Sequence, residues 1–190
     1  MTLYGIIVEG NYDKAAFKEI IKKCILSDIK IISRPCGGKD HLMKSFPGHL
    51  KSFCYEKQGS HIDKALVIRD ADNRDPAELH KKMESKITNR TYPFEVKFII
   101  IIQELETWFL ADEEAISRVT QARSGKPVAR VNENLESIRQ PKEKLQEILS
   151  KAGIYYTPEV AKEIARELDL SKIEYHCPRF REFRQAVIDC

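Results

Sequence analysis

"LYGIIVEGNYDKAAFKEII", residues 3–21, decides the fold. An apolar run ends in a lone carboxylate, Glu9, and then Gly10. Beyond it Ala16, Phe17, Ile20, Ile21 and Cys24 recur at helical spacing. That is a buried strand over 3–8 turning into an amphipathic helix over 11–24, with Asn11 or Asp13 as its cap. A charge at the mouth of a core strand is costly unless something needs it there.

The alternation continues outward. Residues 29–33 read as a second strand, ended by the Pro- and Gly-containing loop "RPCGGKD" (34–40). A helix is expected over 41–55, interrupted or reset near Pro47-Gly48. Residues 65–68 form a third strand, followed by the acidic turn "RDADNRDP" (69–76) and a helix over 76–88 that Pro76 opens, with Asp75 as its start residue. The fourth and most apolar strand spans 94–102. Strands that are apolar throughout and alternate with helices imply a mostly parallel sheet with helices on both faces, an α/β fold. After about residue 104 the strand signals stop. "ELETWFLADEEAISRV" (104–119) looks helical and 118–133 looks like a loop. "PKEKLQEILSKA", "TPEVAKEIAREL" and "PRFREFRQAVI" each read as a short helix opened by Pro. These pieces are too short to be stable alone. The chain therefore divides into an α/β core over 1–103 and a helical extension over 104–190 packed on it, one structural domain overall.

Bulk properties exclude several classes. With 42% hydrophobic and 32% charged residues in 190, burial offsets chain entropy and disorder is not expected. No run approaches the roughly 18 apolar residues that cross a bilayer, so no membrane partner is expected. Five cysteines without CxxC spacing argue against a zinc site or disulfide framework. With no basic leader ahead of the first strand, they suggest the cytoplasm. The net charge of +3 is compatible with nucleic-acid binding without arguing for it. The five histidines show no ligand spacing, and none pairs with a Ser or Cys in a recognisable triad.

In open α/β sheets ligands bind beyond the carboxyl ends of the strands. The first strand ends in Glu9 and the third in Asp70-Ala71-Asp72. If those strands are neighbours, three carboxylates converge on one rim. Two unit charges about 4 Å apart repel by about 4 kcal/mol at an effective dielectric of about 20. A cation, an Arg or Lys, or a shared proton must relieve such a cluster. Oxygen ligands without His or Cys suit Mg²⁺. The plainer alternative has Glu9 capping the following helix and Asp70 and Asp72 in an Asx-turn neutralised by Arg69 and Arg74.

"VEGNYDKAAF" (8–17) followed by "LVIRDAD" (66–72) resembles the Toprim domain of topoisomerases, bacterial primases, recombination mediators and OLD-type nucleases. Its signature is a Glu-Gly after strand one and an Asp-x-Asp after strand three, here in the right order with room between for a helix–strand–helix. "IIIQELETWFLAD" (100–112), "PKEKLQEIL" and "CPRFREF" are further similar to a group of small, uncharacterised prokaryotic Toprim-like proteins distantly similar to OLD-type nucleases. The resemblance implies a Toprim-like, Rossmann-type sheet with a helical C-terminal half. It implies Glu9 as general acid/base, Asp70 and Asp72 as Mg²⁺ ligands with Mn²⁺ as a substitute, and Glu106 as a further ligand, Glu104 being a weaker candidate. Glu106 reads equally as an acid favoured by the helix dipole. Trp108 and Phe109 read as core residues.

Two features suggest phosphate contacts. The loop "CGGKD" at a strand end lets a backbone approach an anion and brings Lys39 within reach of a phosphate, though a plain tight turn explains it equally. "RVTQARSGKPVAR" (118–130) carries Arg118, Arg123, Lys126 and Arg130 with no acid, and Arg179, Arg181 and Arg184 follow near the C-terminus. Such stretches are either a solvated face or a grip on a phosphate backbone. The expected function is Mg²⁺-dependent phosphodiester chemistry on DNA or RNA, nuclease-type hydrolysis first. The alternative is a non-catalytic module that binds nucleic acid or a partner, a second copy of the chain included.

Overall fold

The computed structural model describes residues 2–25, 28–55, 62–128 and 135–189. Strands β1 (Thr2–Val8), β2 (Ile29–Pro35), β3 (Lys64–Asp70) and β4 (Glu95–Ile101) form one sheet ordered β2-β1-β3-β4, every pair parallel. β1 and β3 are the central strands and are buried almost throughout, as their unbroken apolar runs require.

Alternation along these strands feeds two cores. Tyr4, Ile6 and Val8 of β1 join Leu66 and Ile68 of β3 under α1 (Asn11–Cys24), against Phe17, Ile20 and Ile21. Leu3, Ile7, Ala65 and Val67 point the other way, to Leu42, Phe46 and Leu50 of α2 (Lys39–Phe53) and Met83 of α3 (Pro76–Ser85). α1 and α2 therefore cover opposite faces. The winding reverses between β1 and β3, the topological switch point of an open α/β sheet.

The helical half comprises α4 (Glu106–Leu110), α5 (Glu113–Ser124), a 3₁₀ turn at Leu135–Ser137, α6 (Pro141–Lys151), α7 (Pro158–Glu167), α8 (Leu170–His176) and α9 (Phe180–Ile188). Its buried residues, among them Trp108, Phe109, Leu145, Ile164 and Phe183, belong to the same core as α1. α9 is tied to the sheet through the Tyr4 hydroxyl on the Val187 carbonyl (2.9 Å) and Lys64 Nζ on the Ala186 carbonyl (3.1 Å).

Four local expectations need correction. α2 runs through Pro47 without a break, because Leu42, Met43, Phe46, Leu50 and Phe53 bury one stripe on both sides of it. That packing outweighs a penalty of about 3 kcal/mol for an interior proline. Residues 118–124, expected in a loop, are the second half of α5, which ends only at Gly125 (φ 71), whose N–H closes on the Gln121 carbonyl. The 104–119 segment is two helices, split where Asp112 caps α5 by accepting from the Ala115 N–H. α8 was not anticipated, and α9 opens at Phe180, two residues past Pro178.

Candidate functional site

The carboxyl ends of β1 and β3 meet at the switch point, and the acidic motifs meet with them. The backbone N–H of Asp70 donates to Glu9 Oε1 at 3.3 Å. Gly10, not Glu9, is the N-cap of α1, and its N–H donates to Asp13 Oδ2 at 2.7 Å. Asp13 thus takes the reciprocal capping role, and the Glu9 side chain is left for the rim. Beneath it Arg69, only 2% exposed, brings Nε to 3.7 Å from Glu9 Oε1. Its Nη2 is buried without a hydrogen-bond partner among the described residues.

The loop after β2 is built onto the same corner. The N–H groups of Cys36 and Gly38 donate to the carbonyls of Val8 (3.0 Å) and Glu9 (2.8 Å). Gly37 and Gly38 take positive φ angles of 81° and 116° that side chains disfavour. This turn starts α2 at the rim and sets Lys39 Nζ 3.0 Å from Asp72 Oδ2.

The backbone after β3 and β4 is strained at this rim. Asp72 (φ 48), Asn73 (φ 62) and Gln103 (φ 59) are the non-glycine residues with positive φ among those described. The Asp72 N–H reaches the Gln103 carbonyl at 3.4 Å, and Gln103 Oε1 is buried without a hydrogen-bond partner among the described residues. Such outliers concentrate where structure serves a site. Asp75 caps α3 by accepting from the N–H groups of Ala77 (2.8 Å) and Glu78 (3.4 Å), as its place before Pro76 suggested.

The segment after β4 closes the rim from the far side. Glu106 opens α4 yet is 4% exposed, and it accepts the Tyr156 hydroxyl at 2.9 Å. Glu104 accepts the Lys142 N–H at 3.1 Å. Lys142 Nζ lies 4.6 Å above the Tyr12 ring, which packs 4.9 Å from Tyr156. Glu9, Asp13, Asp70, Asp72, Glu104 and Glu106 thus share one neighbourhood with three cations, Lys39, Arg69 and Lys142. Three more carboxylates than cations remain when all are ionised.

Titration reflects the crowding. Burial first, then Asp13 and Asp72, push the Glu9 carboxyl up to about 7, against the Asp70 N–H and Arg69. Burial raises Asp13 to about 6, opposed by the Gly10 N–H and Lys142. Asp70 is held well above the usual carboxylate range by burial and by Asp13, Glu9, Glu106 and Glu104. Burial also raises Glu104 and Glu106, the latter against the Tyr156 hydrogen bond. Proximity of charge is not ligation: among the described residues no three His, Cys, Asp or Glu side chains are arranged as a ligand set.

Of the basic residues expected to grip phosphate, Lys39 and Arg123 are in ion pairs. Lys39 is at the rim but paired with Asp72. Arg123 lies on α5 in a two-pronged pair with Glu163 of α7, at 2.6 and 2.8 Å. Arg118 pairs with Glu167, and Arg184 with Glu174. Lys126 is exposed just past α5, and Arg130 lies outside the described residues. Trp108 is core, edge-on to Phe180 at 4.8 Å. Asp13, Lys142 and Tyr156 also belong to this neighbourhood, though nothing in the sequence marks them as rim residues. The acid at the third helical position of α1 is visible there, but it reads first as a cap.

The fold and rim together define a Rossmann-like α/β protein with an acidic rim at its switch point. The chain belongs to the family described as Domain of unknown function (DUF4276), whose model matches residues 8–188. No curated protein and no solved structure matches it. No helix among the described residues is long and apolar enough to cross a membrane.

Proposed function

We propose that the rim binds a divalent cation, Mg²⁺ or Mn²⁺, and that the protein hydrolyses phosphodiester bonds of DNA or RNA there. The observation that carries this reading is the excess of partly buried carboxylate over cation at the ends of β1, β3 and β4. Like charges held this close raise one another's pKa values, and a hard cation relieves them. The donor chemistry fits, being oxygen only. Asp70 and Asp72 are the residues that would hold the ion, with Glu9 beside them as the general base and Glu106 on the far side. Asp72 would exchange its Lys39 partner to take part. A bound divalent ion would offset charge developing on phosphate oxygens. The Glu-Gly and Asp-x-Asp motifs, and with them the resemblance to Toprim nucleases, supply the substrate class.

The chain's own contribution is proton handling and positioning. Burial, with Asp13 and Asp72, pushes the Glu9 carboxyl up to about 7, toward the range in which a general base works best. Arg69 beneath and the Asp70 N–H beside it fix its orientation. Tyr156 fixes Glu106, and the paired glycines fix Lys39, whose ammonium can move from Asp72 to an incoming phosphate.

A second reading, a non-catalytic module that binds nucleic acid or a partner, is favoured by a different observation. Lys39, Arg69 and Tyr156 already partner the rim acids, and no ligand set is preformed among the described residues. The experiment is to incubate the purified protein with plasmid, single-stranded DNA and RNA, each with Mg²⁺, Mn²⁺ or EDTA. Metal-dependent cleavage of any of the three supports hydrolysis. Binding without cleavage of any substrate supports the module.

A further inference from the structure

A cleft of about 560 Å³ runs between α1 and α7, away from the acidic rim. Lys14, Lys18 and Lys22 line it from α1, Lys162 and Arg166 from α7. The carboxylates in its walls are Glu19 and Glu159, so cations outnumber acids by three. Glu19 is engaged with Arg166 at 3.2 Å. Among the described residues the four lysines have no carboxylate within ion-pair distance.

Position gives this basic strip its meaning. One wall begins at Asn11, two residues after Glu9; the other begins at Pro158, two residues after Tyr156, which holds Glu106. Both walls therefore start at the rim. Lys14, Lys18 and Lys22 are spaced i, i+4, i+8, one helix face, over about 12 Å. That length is enough to meet more than one phosphate of a strand. Like charges at i, i+4 destabilise a helix, and Lys18, half-buried, has its pKa lowered by burial and by Lys14, Lys22 and Lys162. A polyanion in the cleft removes that cost.

We infer that the cleft between α1 and α7 is the track for a nucleic-acid strand, its phosphates received by Lys14, Lys18, Lys22 and Lys162 on the way to the rim. The choice of nucleic acid among polyanions rests on the hydrolytic reading of the rim; the anion-binding surface does not. In the two basic stretches conspicuous in the sequence, Arg118, Arg123 and Arg184 are already paired with Glu167, Glu163 and Glu174.

The test measures binding of a labelled single-stranded oligonucleotide to the full chain in EDTA, where no metal chemistry runs, over about 50 to 200 mM KCl. The comparison is between wild type, a Lys14→Gln/Lys18→Gln/Lys162→Gln variant, the matching Lys→Arg variant, and a charge-matched Lys81→Gln/Lys82→Gln/Lys86→Gln control on the opposite face of the sheet. The cleft variant is expected to lower the log–log salt slope by about 2, at about 0.7 per lysine, and to weaken binding tenfold or more. The arginine variant and the control keep the wild-type slope. Equal losses in cleft variant and control, or no oligonucleotide binding by wild type, would overturn the track. So would binding to phosphatidylserine vesicles in its place. Binding through the cleft without cleavage in metal would leave the track standing and remove the hydrolytic reading.

Discussion

Oε1 of Glu9 accepts the backbone N–H of Asp70 at 3.3 Å, so the acid at the end of β1 is fastened to the last residue of its neighbour β3. The two motifs of the sequence, separated by sixty residues, are one corner of the molecule.

That corner makes stability fall with rising pH. Glu9 and Asp13 have folded-state pKa values of about 7 and about 6, above their ordinary 4.5 and 3.8. The folded chain therefore binds protons more readily than the unfolded one across that window. Their contribution is intact below about pH 4 and is lost as pH rises through 6 and then 7. Urea unfolding should show lower stability at pH 8 than at pH 5. Glu9→Gln, which keeps an acceptor for the Asp70 N–H, should recover roughly 1–3 kcal/mol at pH 8 and little at pH 5.

Mg²⁺ or Mn²⁺ should offset the same strain. At about a hundredfold over its dissociation constant the ion adds about 2.7 kcal/mol, a rise in Tm of roughly 5–10 °C for a chain of this size. The rise should shrink at pH 5, where protons occupy Glu9 and Asp13, and vanish in Asp70→Asn. Thermal melts with and without metal at the two pH values check this.

Tyr156→Phe removes the hydroxyl on Glu106 and leaves a carboxylate 4% exposed without that donor. It should cost roughly 1–3 kcal/mol at pH 8 and less at pH 5, where Glu106 takes up a proton more readily. Equilibrium unfolding at both values distinguishes this from simple loss of packing, which would not vary with pH.

Gly5 of β1 has no room for a side chain, because a Cβ would stand 2.6 Å from the Phe53 ring of α2. Gly5→Ala should destabilise by roughly 1–3 kcal/mol. Combining it with Phe53→Leu should recover part of that loss, as a double-mutant cycle will show.

What was legible in the sequence follows locality. Glu9, Asp70 and Asp72 lie at strand ends, and a strand's apolar run marks its own end. The parallel α/β architecture and the placement of Trp108 in the core follow from the same patterns. Asp13 read as a cap because that local role is real; its place among the rim acids depends on Lys142 and Glu104, about a hundred residues distant and more. Tyr156 and Glu106 meet only through the packing of α6 and α7 against α1 and α4. The extent of α5 was hidden because its polar surface resembles a loop, and Arg123 looked free because Glu163 lies on a different helix. The basic cleft was hidden for the same reason. Lys14, Lys18 and Lys22 share one polar face of α1, and nothing local to α1 shows that Lys162 of α7 stands opposite them.

The central claim is chemistry at the Glu9–Asp70 corner. Its most direct measure is the initial rate of nucleic-acid cleavage in Mn²⁺ by wild type, Glu9→Gln and Asp70→Asn, each shown to be folded by its melt. Cleavage by wild type and a loss of about a hundredfold or more in both variants are expected. Cleavage at the wild-type rate in both would contradict it.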